Sequence, residues 1–241
     1  MPKNLKNHFQ IAALVVLTTS VAPSLTQPAF AQNVSWTDWT SATTGLNGSA
    51  TGSLSLPNQS PITVTYRGEV LFAQTNGGIN YWNPATPYVS PTVPNAPPAS
   101  DIIALVGGNQ RVNTITFSSP VKDPVFGIVS MGQFGIPVRY NFDAPFDVLS
   151  FGPGYWGNGP LTELPGNILQ GREGHGVIQF QGTLSSISWT TPVAENWHGF
   201  TVGAKKSVPE PTTALGLLFL GGLGAVGLKR KEQNFSSNDQ V

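Results

Sequence analysis

Two histidines in the body of the chain could take part in chemistry. His175 stands in Glu173-Gly174-His175-Gly176, and His198 follows Asn196-Trp197. An imidazole titrates near neutral pH, so either could serve as a general base if a nucleophile and an orienting carboxylate stood beside it. A His, an Asp and any Ser make a triad on paper, but no Gly-x-Ser-x-Gly turn is present to expose the serine. The two histidines and Glu173 have donor types that suit a metal, yet neither His-x-His nor His-x-x-x-His spacing occurs. Asp143 and Asp147 flank Ala144-Pro145-Phe146, where Asp side chains favour a turn by accepting backbone hydrogen bonds. A calcium site there would need further oxygen ligands that the sequence does not place. With no Cys in the chain, disulfides, thiolate metal sites and a cysteine nucleophile are excluded. The expectation is a noncatalytic protein with no cofactor and no resident metal.

Aromatic residues carry more information. Trp36, Trp39, Tyr81, Trp82, Tyr88, Tyr155, Trp156, Trp189 and Trp197 all fall in the body. Exposed Trp and Tyr faces stack on sugar rings, offering broad apolar area at little entropic cost. Trp189, in Ile187-Ser188-Trp189, alternates onto an apolar face and reads as core. Tyr155 and Trp156 sit in the glycine-rich stretch 152–159, and Tyr81 and Trp82 at the lip of a proline-rich stretch. These four are candidate glycan-stacking residues, the alternative being that they plug the core.

The elements that must position them read as strands. Ile62 to Tyr66, Val112 to Phe117 and Leu184 to Thr190 alternate around β-branched residues. Short apolar runs at 125–129, 146–149 and 176–180 also fit strands. Gly, Pro, Asn and Asp punctuate the chain at intervals of roughly ten residues, and the body shows no amphipathic helix. The expectation is about ten to twelve short strands in a single antiparallel β-sandwich, jelly-roll or Greek-key like, over residues 32–204. Residues 83–100 hold six prolines and read as a long loop over that domain. The whole chain balances twelve Lys and Arg against twelve Asp and Glu, and residues 32–207 hold seven basic and nine acidic side chains. Nothing in that balance attracts nucleic acid.

The two ends carry targeting information. Residues 1–31 run from a basic start (Lys3, Lys6) through an apolar run, Ile11 to Leu17, to the small-x-small triplet Ala29-Phe30-Ala31. That is the layout of a secretory signal peptide, with signal peptidase cutting between Ala31 and Gln32. Seven apolar residues are too few to span a bilayer. Near the other end, Val208-Pro209-Glu210-Pro211 precedes the uncharged apolar stretch Ala214 to Leu228, which is followed by Lys229-Arg230-Lys231. Such a stretch is expected to form a short membrane-spanning helix, with the basic residues kept on the cytoplasmic side. Pro209 and Pro211 hold the backbone extended just outside the membrane, where a processing enzyme could reach its peptide bonds.

These three parts, in this order, resemble the PEP-CTERM sorting signal of bacterial exosortase substrates. The resemblance covers about a tenth of the chain. It implies recognition of the Pro-Glu-Pro triplet by a membrane-embedded cysteine transpeptidase, the exosortase. It also implies a setting of exopolysaccharide production. Residues 205–231 then form the sorting segment, and 232–241 a polar tail. The expected product is an exported surface or extracellular-matrix protein, held in the inner membrane only transiently. Its body either associates with exopolysaccharide as a noncatalytic component or is a carbohydrate-binding module. A hydrolase with an unfamiliar site is the third reading.

Overall fold

The computed structural model describes residues 33–206. The expected signal peptide with its cleavage site, the sorting motif, the apolar helix with its basic cluster and the polar tail lie outside the described residues. Fifteen strands form. They are β1 (Val34–Trp36), β2 (Asp38–Thr43), β3 (Gly45–Leu54), β4 (Ile62–Val70), β5 (Phe72–Gln74), β6 (Ile102–Leu105), β7 (Asn109–Lys122) and β8 (Val125–Met131). After these come β9 (Val138–Phe142), β10 (Phe146–Phe151), β11 (Leu161–Leu164), β12 (Ile168–Gly171), β13 (Gly174–Phe180), β14 (Thr183–Thr191) and β15 (His198–Lys205). The count exceeds the expectation because β1, β5, β11 and β12 are only three or four residues long. Runs that short carry no readable alternation.

All of the paired strands are antiparallel, and they make two sheets. One has the order β10-β13-β8-β15-β6-β5, with β1 continuing beside β15. The other has the order β11-β12-β9-β14-β7-β4-β3-β2. Between them lies a core rich in aromatic rings. Phe126 stacks on Phe200 at 5.5 Å, while Trp189 meets both edge-on, at 5.6 and 5.1 Å. Burial of each such ring stabilises the fold by about 1.5–3 kcal/mol.

The central strands of the first sheet, β6, β8, β13 and β15, are buried on both faces. In β8, Phe126 and Ile128 face the inner core, while Val125 and Val129 face a second one. The proline-rich segment covers that second face. Trp82, Tyr88 and Val93 pack there on Val125, Val129, Val177 and Ile102. Asn95 fastens the cover by treating Val34 as a strand partner. Its side-chain carbonyl accepts from the Val34 N–H at 2.8 Å, and its amide donates to the Val34 carbonyl at 2.9 Å.

Register fixes which end is which. Val34 pairs with Lys205, so the chain enters and leaves the sandwich at one end. His198, at the other end of β15, pairs with Leu105. Eight residues at about 3.3 Å each put the two ends of β15 roughly 23 Å apart. The turns β6–β7, β8–β9, β12–β13 and β14–β15 all cluster at the His198 end.

Candidate functional site

At that end, remote from Lys205, five aromatic rings pack edge to face. Phe72, the first residue of β5, lies 4.9 Å from Trp197, which immediately precedes β15. Tyr81 lies 5.1 Å from Trp197, 5.3 Å from Trp156 and 5.3 Å from Tyr155. Trp156 meets Trp197 at 5.1 Å and Tyr155 at 4.4 Å. Phe72, Tyr81 and Trp197 rest on the second core, whereas Tyr155 and Trp156 remain 41 % exposed. The cluster therefore runs from an anchored base to open ring faces.

Three of the four aromatic candidates meet here, and one does not. Trp82 is 1 % exposed, its indole set edge to face with Tyr88 at 5.1 Å and close against Gly127. It offers no face to a ligand and is corrected to a core residue. Tyr81 and Trp82 form a turn, in which Tyr81 stays at the rim while Trp82 is directed inward. Trp197 and Phe72 join the site without having been among its four candidates. Trp197 had a signal in its place, directly ahead of a strand after Pro192 to Asn196. Phe72 had none. Phe134, 92 % exposed in the β8–β9 turn, shares this end of the molecule.

Beside the rings is a groove of about 220 Å³ lined by Ser130, Gln133, Trp156, Glu173, Glu195 and Trp197. The side-chain oxygen of Gln133 is buried there without a hydrogen-bond partner. Buried acceptors of this kind are costly unless water or a ligand donates to them. Glu195 is held in place: its Oε1 accepts from the Gly132 N–H at 2.6 Å and lies 2.7 Å from Nδ1 of the buried His198. Two carboxylates and several neutral polar groups beside Trp faces suit the hydroxyls of a sugar and disfavour an anion.

His175 positions the Trp156 loop. Its Nδ1 accepts from the Ser130 N–H at 3.2 Å and faces the Tyr88 hydroxyl at 2.9 Å. The proton is therefore on Nε2, which donates to the Trp156 carbonyl. Burial holds this imidazole below its ordinary pKa, and the bond to the Trp156 carbonyl only partly opposes that. The loop lies so close that a Cβ on Gly154 would fall inside the imidazole ring, which is why glycine stands there.

The remaining candidates have local partners. Oδ1 of Asp143 accepts from the Ser188 N–H at 2.9 Å, and Oδ2 of Asp147 accepts from Gln181 at 3.1 Å. They brace neighbouring turns rather than a shared site. His175 and His198 have different partners, and no group of three or more metal-ligating side chains occurs among the described residues. No helix among the described residues is long and apolar enough to cross a membrane.

No curated protein and no solved structure matches this chain. A family model does match its C-terminal segment, at residues 207–231. This segment follows Lys206 in sequence, and Lys205 and Lys206 lie at the end of the sandwich opposite the aromatic cluster. It is the PEP-CTERM protein-sorting motif, which marks the chain as an exported exosortase substrate, held at the membrane before it is sorted.

Proposed function

We propose that this protein is a noncatalytic surface or matrix component, delivered by its sorting motif into an exopolysaccharide layer, whose body binds glycans. The observation that carries the reading is the five-ring cluster with its adjoining polar groove, set at the end of the sandwich away from Lys205. Ring faces at Tyr155 and Trp156 would stack on pyranose faces, while Gln133, Ser130, Glu173 and Asn196 would meet hydroxyls. The noncatalytic part is supported by the histidines. His175 uses both ring nitrogens to hold the loop, and His198 is fully buried against Glu195.

Strand order supports a jelly-roll wiring. The ladder β6-β15-β8-β13 faces the ladder β7-β14-β9-β12, and nearly every connection from β6 onward crosses between the sheets. Extracellular lectin domains use this architecture, which is an analogy of fold only.

Binding is tested on an array of neutral and charged glycans with the full chain. Tyr155→Ala with Trp156→Ala is expected to weaken binding by about tenfold or more. Binding that survives both substitutions rules this platform out. Sorting is tested by replacing Pro209, Glu210 and Pro211 with Ala, which should leave unprocessed protein in the inner membrane. The intact mass of the mature wild-type protein reports both expected cleavages, before Gln32 and at the sorting motif. A hydrolase would instead release sugar from a bound glycan, and Glu173→Gln would stop it.

A further inference from the structure

A second concave surface lies on the solvent face of the eight-stranded sheet, toward the same end as the aromatic cluster. It is a cleft of about 530 Å³ whose rim carries Arg67, Arg111, Leu46, Val112, Asn47 and Thr114. Gly48 and Gly68 pair across β3 and β4 beneath it, just past an irregularity in register between Gly45 and Gly48. Both positions face inward: a Cβ on Gly68 would strike the buried Asn113 side chain and Tyr66 hydroxyl, and one on Gly48 would strike the buried Val70.

The charges around it are uncompensated. The Arg67 guanidinium makes no hydrogen bond or ion pair, and the Arg111 guanidinium donates only to the side-chain carbonyl of Asn47. The nearest carboxylate in sequence, Glu69, is buried and accepts from the Gly107 N–H at 2.9 Å and from Asn109 at 3.2 Å. Two aliphatic side chains flank the guanidinium groups with unusual exposure, Leu46 at 53 % and Val112 at 58 %. A planar guanidinium matches a carboxylate with two parallel hydrogen bonds, which a neutral sugar cannot reproduce.

We infer that this cleft binds a uronic-acid-bearing polysaccharide, with Arg67 and Arg111 forking a sugar carboxylate and Leu46 and Val112 covering an apolar pyranose face. Polysaccharide is favoured over a bare anion because the cleft is open and lined by apolar and hydroxyl groups as well as charge. It complements the aromatic groove, whose own carboxylates turn acidic sugars away. The choice of a polysaccharide rests on the glycan-binding reading above, but the residues are separate and so are their tests.

The test uses the full chain in detergent and oligogalacturonate as the probe, by calorimetry at low and high salt. Wild type is expected to bind, more weakly as salt rises. R67Q combined with R111Q should weaken binding by about tenfold or more, since charge-assisted bidentate bonds are lost. R67K with R111K should recover only part of it, because Lys supplies charge without the fork. Both side chains are exposed, so the fold is expected to tolerate these changes, and an unchanged melting temperature checks that. Y155A with W156A should leave oligogalacturonate binding intact, which separates failure of this cleft from failure of the aromatic platform. Undiminished binding by the R67Q and R111Q variant overturns the inference. So does binding of polyglutamate as tight as that of oligogalacturonate, which would make the cleft a general anion patch.

Discussion

At the scale of single residues, the decisive group is His175, because one neutral imidazole holds the backbone that carries Trp156. In the folded protein its pKa is depressed by burial; in the unfolded chain it is about 6.5. Above that value both states are neutral and the stabilisation is complete. As pH falls below it, the unfolded chain takes up a proton that the folded site resists, so stability declines. Protonation would also place a hydrogen on Nδ1, against the Ser130 N–H. The expected outcome is a thermal midpoint that falls as pH drops below about 6.5. In His175→Gln that part of the dependence should vanish. A variant that keeps the full wild-type pH profile would show that other groups cause it. The glycine-rich stretch singled out Tyr155 and Trp156, but whether they plug the core or stay open was not legible in the sequence; both are 41 % exposed. The partner of that loop was not legible, since Gly154 reads as a turn residue until the imidazole beneath it is seen.

At the scale of elements, the proline-rich segment does the least expected work. Six prolines in 83–100 announce a loop, and the segment contains only a single 3-10 turn, at Thr86–Tyr88. What could not be read was that this loop is a lid for a sheet face. The apolar run at 125–129 was read as a strand, but nothing in it told what covers its second face. Tyr88 and Val93 fill that place, and Asn95 ties it to β1. Asn95→Ala leaves the Val34 N–H and carbonyl without those partners, both partly buried, at a cost of about 1–3 kcal/mol. The expected result is a lower denaturation midpoint together with earlier protease cleavage within residues 83–100. Unchanged stability and unchanged cleavage would mean the lid is held by its apolar contacts alone. Trp82 illustrates the same limit from the other direction. Its neighbour Tyr81 was placed with it at the lip of the loop, but only the path of the backbone decides which of two adjacent rings faces out.

At the scale of the whole molecule, register along β15 separates the two tasks of the chain. Lys205 marks the end that leads to the sorting motif, and Trp197, adjoining the other end, marks the aromatic cluster. Seven residues, Ser207 to Thr213, join the body to the apolar stretch and reach at most about 25 Å. A body attached so closely at one end is expected to present its aromatic end away from the bilayer until it is processed. The absence of Cys makes this measurable, because a single introduced cysteine labels uniquely. Asn58 lies in the turn between β3 and β4, at the Lys205 end, and Phe134 lies in the β8–β9 turn at the other. In the variant with Ala at 209–211, reconstituted in vesicles carrying a headgroup quencher, a fluorophore at Asn58→Cys should be quenched more than one at Phe134→Cys. Equal quenching would mean that the tether lets the body turn freely. The reverse order would place the rings against the membrane and make lipid, rather than glycan, the surface they meet.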